Sequence, residues 1–476
     1  MSALLASQAL RAASEQAATH RVSSAAEIAT AASRAKPGDV IVMSDGVWKD
    51  ADIVFDAQGT EGKPITLRAQ TPGKLILSGG SRLRIGGAHL VVDGLWFKDG
   101  YVSSGDVIEL RANPSKHAHH CRVTNCAITG YNPFDKKANN KWVSLYGAHN
   151  RVDHCALIGK ENAGTTLVVW LSGEPNYHRI DHNYFGPRPP LGANGGETIR
   201  VGTSDWSMSV SRTIVERNLF EECNGEIEII SSKSCENVYR QNTFLNCEGT
   251  LTLRHGNRCE VHGNFFLGNH KRDTGGVRII GEDHKVYNNY FAGLMGEDAR
   301  SALSMRNGIP DSPLAGYFQV KRAVVAFNTL VDCRSNFALG LISNDPGRST
   351  LPPEDCVIAN NLTRGDSGPL IREMNKPLNL RWQGNIFHGA ALGVNPTSGI
   401  VEADPRLRLG ADGLWRPGAG SPAIGAAVGD FPFVTDDIDG QPRGKKRDVG
   451  CDQSSNRPAL SRPLTRDMVG PTFRVI

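Results

Sequence analysis

Two glutamates lie two residues apart in the segment NGEIEIISSK, residues 224–233. Strand alternation predicts that Ile227 and Ile229 face the core, so that Glu226 and Glu228 share the outer face of one strand. Adjacent carboxylates repel each other, and a raised pKa, a basic partner or a bound cation must offset this repulsion. Oxygen ligands such as two carboxylates and an Asn carbonyl favour a hard cation, and Ca²⁺ accepts their flexible geometry better than Mg²⁺.

Basic and aromatic side chains are expected on the outer face of the neighbouring strands: Trp170, Arg200, Arg254, Arg278 and Arg306. Adjacent strands lie about 4.8 Å apart, so these side chains and the two glutamates form one predicted ridge. Guanidinium groups pair with carboxylates or sulfates, and an aromatic face can stack on a sugar ring. The ridge predicts a groove for a long polyanion. Outward glutamates beside arginines are more often a solvated salt-bridge ladder, and the residues alone leave that interpretation open.

A repeated pattern must position these strands. In this pattern an apolar residue and a few polar residues precede an Asn, and Phe or Leu stands two positions after that Asn. The Asn residues are Asn183, Asn218, Asn242, Asn264, Asn289, Asn328 and Asn385, with weaker versions at Asn125 and Asn361. Their intervals are 24, 22 and 25 residues in the most regular stretch. This period is typical of one coil of a solenoid with variable loops.

Short alternating segments between these asparagines predict strands at Thr166–Leu171, Thr198–Val201, Glu226–Ile230, Thr250–Arg254, Val277–Ile280 and Leu303–Arg306. Coils of this length, each with two or three short strands, predict an all-β, single-domain, right-handed parallel β-helix. Asn suits its turns because it tolerates the left-handed backbone region, and stacked amides can form a hydrogen-bonded ladder.

The two ends of the chain differ from this repeat. Ser24–Arg34 is predicted to be a short capping helix, followed by strands at Val40–Met43 and Ile65–Arg68, and the last residues form an irregular tail. The predicted organisation is an N-terminal extension over 1–23, a catalytic β-helix over 24–452 and a tail over 453–476.

Composition limits the class of protein. The 476 residues include 52 Gly and 25 Pro, and the apolar residues, 39% of the total, occur only in short runs, so a membrane-spanning helix is excluded. A net charge of +4 without blocks of like charge argues against nucleic acid as a partner. Four of the ten cysteines recur every 12 residues, which favours packed, reduced thiols over disulfides: Cys223, Cys235, Cys247 and Cys259.

Four segments, taken together and in this order, resemble polysaccharide lyase family 6, the β-helical alginate lyases and chondroitinase B. They are NGGETIRVG (194–202), NGEIEIISSKS (224–234), LRHGN (253–257) and GGVRIIGEDH (275–284). The similarity of architecture covers most of the chain.

The resemblance implies a role for each matching position. Ca²⁺ is implied at Asn194, Glu226 and Glu228, with Lys233 as the Brønsted base and Arg254 as the acid. His255 and Arg278 match substrate-binding positions. Trp170, Arg200 and Arg306 are added as substrate-binding residues from strand alternation alone.

The implied reaction is β-elimination at a uronate, which gives 4,5-unsaturated oligosaccharides, and alginate is the expected substrate. A dermatan or chondroitin sulfate lyase is the alternative, with sulfate contacts from the loops Asp135–Lys141 and His270–Arg272. A non-catalytic polysaccharide-binding β-helix would keep the groove without needing Lys233. A β-helical glycosidase would need one protonated carboxylic acid, and we expect the neighbouring basic side chains to keep Glu226 and Glu228 ionised.

The expected partner is thus an anionic polysaccharide, with no nucleic acid and no membrane. A monomer in the periplasm or outside the cell is expected, although residues 1–30 show no secretory signal.

Overall fold

The computed structural model describes residues 17–342, 347–395 and 398–475. Of the predicted N-terminal extension, residues 1–16 lie outside this part. The described chain forms three fourteen-stranded sheets, one ten-residue α-helix, Ala25–Arg34, and the short 3₁₀ helices Ser204–Trp206, Asp298–Arg300 and Arg466–Met468. No described helix is long and apolar enough to cross a bilayer.

Sheet A contains Thr19–Val22, Val40–Met43, Ile65–Ala69, Leu90–Asp93, Arg122–Thr124, Arg151–Asp153, Arg179–Asp181, Ile214–Glu216, Val238–Arg240, Glu260–His262, Lys285–Tyr287, Val324–Ala326, Val357–Ala359 and Arg381–Gln383. Sheet B contains Gly46–Lys49, Leu75–Gly79, Trp96–Gly100, Ala127–Thr129, Ala156–Ile158, Tyr184–Phe185, Leu219–Glu221, Thr243–Leu245, Phe265–Leu267, Tyr290–Ala292, Thr329–Val331, Leu362–Gly365, Asn385–Gly389 and Ile400–Glu402. Sheet C contains Asp52–Gln58, Arg82–Ala88, Ile108–Glu109, Arg111–Asn113, Lys116–His119, Val143–Leu145, Leu167–Val169, Ile199–Val201, Glu228–Lys233, Thr250–His255, Val277–Ile279, Leu303–Arg306, Phe337–Leu341 and Ile371–Glu373.

The chain visits sheets A, B and C in turn, and each strand pairs in parallel with its equivalent one coil away; the antiparallel pair Arg111–Asn113 and Lys116–His119 is an exception within sheet C. This topology is the predicted all-β, right-handed parallel β-helix. The capping helix is confirmed at Ala25–Arg34. The Ser24 hydroxyl caps its N-terminus by accepting the backbone N–H of Glu27 at 3.2 Å. The predicted strands are confirmed within a few residues.

The asparagine repeat forms a buried ladder. The backbone N–H and the side-chain amide of Asn218 both donate to Asn242 Oδ1, at 3.0 and 3.1 Å, and Asn242 repeats this contact with Asn264. The ladder runs from Asn183 to Asn385 and includes Asn361. Amide stacking was therefore the correct reason for these asparagines.

The expectation that the ladder asparagines adopt the left-handed backbone conformation was wrong. The residue before each Asn has the positive φ instead, for example 52° at Arg217 and 55° at Gln241. The turn bends one position earlier, so the Asn side chain points inward to its neighbours in adjacent coils.

Apolar side chains inside the β-helix also stack on the equivalent side chains of adjacent coils. Five phenylalanine rings lie parallel at centroid distances of 4.9, 4.7, 4.5 and 4.8 Å: Phe185, Phe220, Phe244, Phe266 and Phe291. All ten cysteines are buried and free, and Cys223 donates its backbone N–H to the sulfur of Cys247 one coil away. The cysteine spacing thus reflects coil packing.

The C-terminal residues close the structure without joining the three sheets. Strands Leu407–Leu409 and Trp415–Pro417 form an antiparallel hairpin. The last residues then run back beside sheet B, where Leu464 donates to Thr243 and Thr472 donates to Asn125.

We predict that Asn242→Ala lowers the free energy of unfolding by about 3 kcal/mol, because the substitution leaves buried hydrogen-bonding groups of the adjacent coils unpaired. Chemical denaturation would measure the loss. The exposed Asn456 provides a matched control, and Asn456→Ala should change stability little. Equal effects of the two substitutions would contradict the structural role of the ladder.

Candidate active site

A cavity of about 830 Å³ opens on the outer face of sheet C. The strands Glu228–Lys233, Thr250–His255 and Val277–Ile279 contribute to it, together with the turns that precede them and two longer loops. It brings together six of the ten site residues predicted from the sequence: Asn194, Glu226, Glu228, Lys233, Arg254 and Arg278.

Close glycine contacts bring two of the cavity's turns together. A Cβ atom on Gly225 would lie 2.1 Å from the carbonyl oxygen of Gly196, and one on Gly196 would lie 2.4 Å from that of Gly225. These turns carry Asn194 and Glu226, so the glycines of the two NG motifs allow those side chains to face one cavity. Glu226 Oε2 then accepts the backbone N–H of Gly195 at 3.0 Å.

Three carboxylates interact electrostatically near this end of the cavity, those of Glu197, Glu226 and Glu228. Burial, together with the negative charges of Glu197 and Glu228, raises the pKa of Glu226 to about 7. Glu197 is 2% exposed, and sequence reasoning missed it because it precedes its strand and belongs to no alternating pattern. The expectation that Glu226 stays fully ionised beside basic groups was wrong, because burial and like charges dominate there.

Glu228 faces the basic side of the cavity. Its Oε1 lies 3.8 Å from Arg254 Nε and 3.8 Å from Arg278 Nη1, and its Oε2 accepts the Ser231 hydroxyl at 2.5 Å. Arg254 and Arg278 are themselves largely buried. The acidic pair predicted from the sequence therefore divides, with Glu226 among carboxylates and Glu228 at the boundary with the arginines.

Two irregularities in strand pairing aim these side chains. Glu228 pairs with Thr250 but Ile230 with Leu251, so Ile229 is an extra residue. Bulges of this kind interrupt alternation and redirect side chains near functional sites. The expectation that Ile227 faces the core was wrong: it lies in the bend before the strand and lines the cavity, whereas Ile229 and Ile230 are both buried.

The second irregularity lies at Arg254, between the pairs Ser232 with Leu253 and Lys233 with His255. The single predicted ridge is consequently wrong in detail. Arg200 and Arg278 do share one row across sheet C, with Ser231 and Thr252 between them. The two glutamates and Arg254 lie outside that row, because a bend and two bulges separate them from it.

Lys233 ends its strand and projects into the cavity. Among the residues that the structure describes, its amine has no hydrogen-bond or ion-pair partner. A lysine beside this many charged groups that is bonded to none of them is available to a bound molecule.

Tyr317 is the second residue that the sequence did not reveal. Its ring lies 3.8 Å from the Arg306 guanidinium, 4.1 Å from that of Arg254 and 5.7 Å from that of Arg278. Burial opposes ionisation of the phenol, but the three positive charges outweigh burial and lower the pKa of Tyr317. Its loop crosses the strand ends from about 60 residues away, and no periodicity marks it.

Four predicted substrate-binding residues do not line this cavity. His255 is 1% exposed and lies behind Arg254, with its Nδ1 3.3 Å from Arg254 Nη1. Burial and the charge of Arg254 lower the pKa of His255 to about 3, so its ring is neutral at pH 7. Arg306 lies beneath Tyr317, and Arg200 stacks 5.3 Å from the Trp170 ring on the side of the preceding coils.

The donors at the acidic end fit a hard cation. Asn194, Glu197, Glu226 and Glu228 offer only oxygen ligands, and the like charges that raise the pKa of Glu226 would be offset by a bound cation. A different acidic cluster, Asp437, Asp439 and Asp452, lies in the C-terminal part, where Arg416 already bonds Asp439 and Asp452.

The chondroitinase B family profile matches residues 22–402, and the chain belongs to this family. The PL6 family alginate lyase AlyGC is 39% identical with a TM-score of 0.85; the match covers 95% of this chain and 58% of that one. This chain thus spans less than two thirds of that relative. No curated protein sequence matches the chain.

Two further solved structures extend the comparison. A mannuronic acid specific family 6 lyase from human gut microbiota is 33% identical, with a TM-score of 0.69, over 78% of this chain and 86% of that one. The PL6 lyase Pedsa3628 from Pseudopedobacter saltans is 26% identical, with a TM-score of 0.73, over 96% of this chain and all of that one. The resemblance in the four sequence segments is confirmed at the level of the family.

We predict that Tyr317 ionises below the ordinary tyrosine pKa of about 10. Subtracting the ultraviolet titration of Tyr317→Phe from that of the unaltered protein would isolate its tyrosinate band. Arg306→Met should move this ionisation to higher pH, because one positive charge that stabilises the phenolate is lost. Arg258 is exposed and does not line the cavity, so Arg258→Met serves as the control. An Arg306→Met profile identical to that of Arg258→Met would contradict the role of the arginines around Tyr317.

Proposed function

We propose that the protein is a polysaccharide lyase that cleaves alginate by β-elimination, giving 4,5-unsaturated oligosaccharides. One observation carries the proposal: a lysine amine without a protein partner shares a cavity with the carboxylates of Glu226 and Glu228 and with three arginines, Arg254, Arg278 and Arg300. Elimination at a uronate needs these parts, namely a base, a positive charge on the sugar carboxylate and stabilisation of the leaving oxygen.

Lys233 is assigned as the base. It removes the proton at C5, next to the sugar carboxylate, and the electron pair of that bond forms the C4–C5 double bond as the C4–oxygen bond breaks. The position of Lys233 supports this assignment, because its amine projects into the cavity and a bound sugar would not have to break a hydrogen bond or ion pair of that amine.

Asn194, Glu197, Glu226 and Glu228 are proposed to hold Ca²⁺. Bound there, the ion would neutralise the uronate carboxylate, on which negative charge accumulates as C5 loses its proton. The chain's contribution is to gather these oxygens through the Gly196–Gly225 contact and to leave Lys233 exposed to the same space.

Arg254 is assigned to the leaving oxygen. Its guanidinium is fixed by the carbonyl oxygens of Gly316 and Ala315, at 2.7 and 3.2 Å, so it presents a fixed positive charge to the cavity. A guanidinium holds its proton strongly. The phenol of Tyr317 beside it is a second group that can supply the proton to the departing oxygen.

Alginate is favoured over sulfated polymers by the position of the basic loops. In Asp135–Lys141, Lys136 pairs with Glu161, and in His270–Arg272, Lys271 pairs with Glu222 and Glu248. Neither loop lines the cavity. The relatives described as alginate lyases point the same way.

Hydrolysis is the second candidate reaction, because the raised pKa of Glu226 is a property of a glycosidase acid. Membership of a lyase family and the unpaired lysine argue against it. The product distinguishes the two reactions, since hydrolysis yields no unsaturated sugar.

We also propose that the protein acts as a monomer in the periplasm or outside the cell. One copy carries every group to which the proposed reaction assigns a role, since the base, the carboxylates and the arginines all come from this chain. An extracellular polymer is reached only in those compartments.

Incubation with alginate should produce the ultraviolet band of the unsaturated uronate, and Lys233→Ala should reduce the rate by about 100-fold or more. Polymer binding should change little, because the amine acts on the C5 proton, while the proposed cation site and the arginines of the cavity are unchanged. Lys137→Ala, at an exposed lysine outside the cavity, is the matched control.

Retention of most activity by Lys233→Ala would remove that lysine as the base. Reducing ends without the ultraviolet band would indicate hydrolysis. Binding of alginate, dermatan sulfate or chondroitin sulfate with neither product would indicate a binding protein.

Removal of divalent ions with EDTA should abolish elimination, and added Ca²⁺ should restore it. Ca²⁺ affinity should also rise between about pH 6 and pH 8, because Glu226, with a pKa of about 7, must lose its proton to act as a ligand. Calorimetric titration at three pH values measures this dependence. Unchanged activity in EDTA would show that the carboxylates serve another purpose.

A further inference from the structure

Arg188 is a buried arginine that the reaction described above does not use. It is 3% exposed, and it contacts no carboxylate within ion-pair distance among the described residues. A buried charge without an ionic partner is costly unless hydrogen bonds compensate it. The hydrogen bonds of the Arg188 guanidinium therefore indicate its structural role.

The guanidinium of Arg188 donates to two neighbouring chain segments. Nη1 donates to the Glu197 carbonyl at 2.8 Å and to the Thr166 hydroxyl at 3.0 Å. Nη2 donates to the carbonyls of Gly164 at 3.0 Å, Asn162 at 3.1 Å and Gly195 at 3.5 Å. One planar group thus fixes the backbone that directly follows Asn194 and ties it to the preceding coil.

The rest of Arg188 contacts the turn that carries Glu226. A Cβ atom on Gly225 would lie 2.7 Å from Arg188 Nε, so the glycine packs directly on the guanidinium. The backbone of Arg188 accepts the N–H of Asn224 at 2.9 Å and donates to the Glu222 carbonyl at 3.0 Å. Both turns that hold the proposed cation ligands are therefore attached to this one residue.

We infer that Arg188 is a positioning residue of the cation site: it fixes the spacing between the Asn194–Glu197 turn and the Gly225–Glu226 turn, and so sets the affinity for Ca²⁺. The inference rests on the cation site of the proposed function. Lysine can replace Arg188 only in part, because only the arginine fork offers donors in enough directions for all of these acceptors.

Calorimetric titration of the metal-free protein with Ca²⁺ tests this inference without reference to activity. Arg188→Met should weaken Ca²⁺ binding by roughly 10- to 100-fold, the usual effect of losing a residue that orients metal ligands. Arg188→Lys should weaken it less, because some hydrogen bonds return.

Arg443 supplies the matched control. It is also bonded mainly to backbone carbonyls, those of Asp436, Asp448 and Gly450, but it lies in the C-terminal part away from the cavity. Arg443→Met should lower the unfolding temperature and leave Ca²⁺ affinity within about twofold, since its loss affects structure alone.

The outcomes separate this inference from the proposed function. If the unaltered protein binds Ca²⁺ and Arg188→Met binds it equally well, the positioning role is wrong and the cation site stands. If the unaltered protein binds no Ca²⁺, the cation site itself is wrong and the inference falls with it. Should Arg188→Met not fold, Arg188→Lys decides: affinity equal to that of the unaltered protein would overturn the positioning role.

Discussion

Glu228 lies between a pair of carboxylates on one side and a pair of arginines on the other, and the site depends on this position. Glu197 and Glu226 crowd one side, where burial and mutual repulsion raise the pKa of Glu226 to about 7. Arg254 and Arg278 lie on the other side, each with a nitrogen 3.8 Å from the Glu228 carboxylate. A cation on the acidic side and a uronate carboxylate between the two groups would neutralise both. The protein thus separates negative and positive groups that the proposed cation and uronate would neutralise.

The β-helix supplies this arrangement through its stacked coils. Residues about 25 positions apart become neighbours at the strand spacing, so a few side chains from consecutive coils suffice to build a charged cavity. The regular parts of each coil, the asparagine ladder and the phenylalanine stack, are buried. The bulges at Ile229 and Arg254 and the close glycine turns are the local departures that aim the functional groups.

The fold was predictable because the sequence pattern that produces it recurs in each coil. Each coil needs an amide at the same turn and an aromatic or aliphatic residue two positions later, and this period is visible without an alignment. The residues Glu226, Glu228, Arg254 and Arg278 were predictable because they lie in or next to strands, whereas Asn194 and Lys233 came only from the resemblance to the family. The error at Ile227 arose because strand alternation was applied to a residue that lies in the bend before the strand Glu228–Lys233.

Glu197 and Tyr317 were missed because local patterns do not encode them. Glu197 reaches the cluster through the turn that Arg188 holds, and Tyr317 arrives on a loop anchored by its carbonyl contacts with Arg254. Their positions are set by tertiary contacts over about 30 to 60 residues. Trp170 and Arg200 show the converse: alternation placed both on the outer face, where they stack on each other, but could not tell that they lie outside the cavity.

A crystal structure of the Lys233→Ala variant with Ca²⁺ and an alginate trisaccharide would test the account most directly. The account predicts an ion held by Asn194, Glu197, Glu226 and Glu228, a uronate carboxylate on that ion, and C5 of the same sugar facing position 233. A trisaccharide bound elsewhere, or a uronate in the cavity with its C5 turned away from position 233, would contradict it.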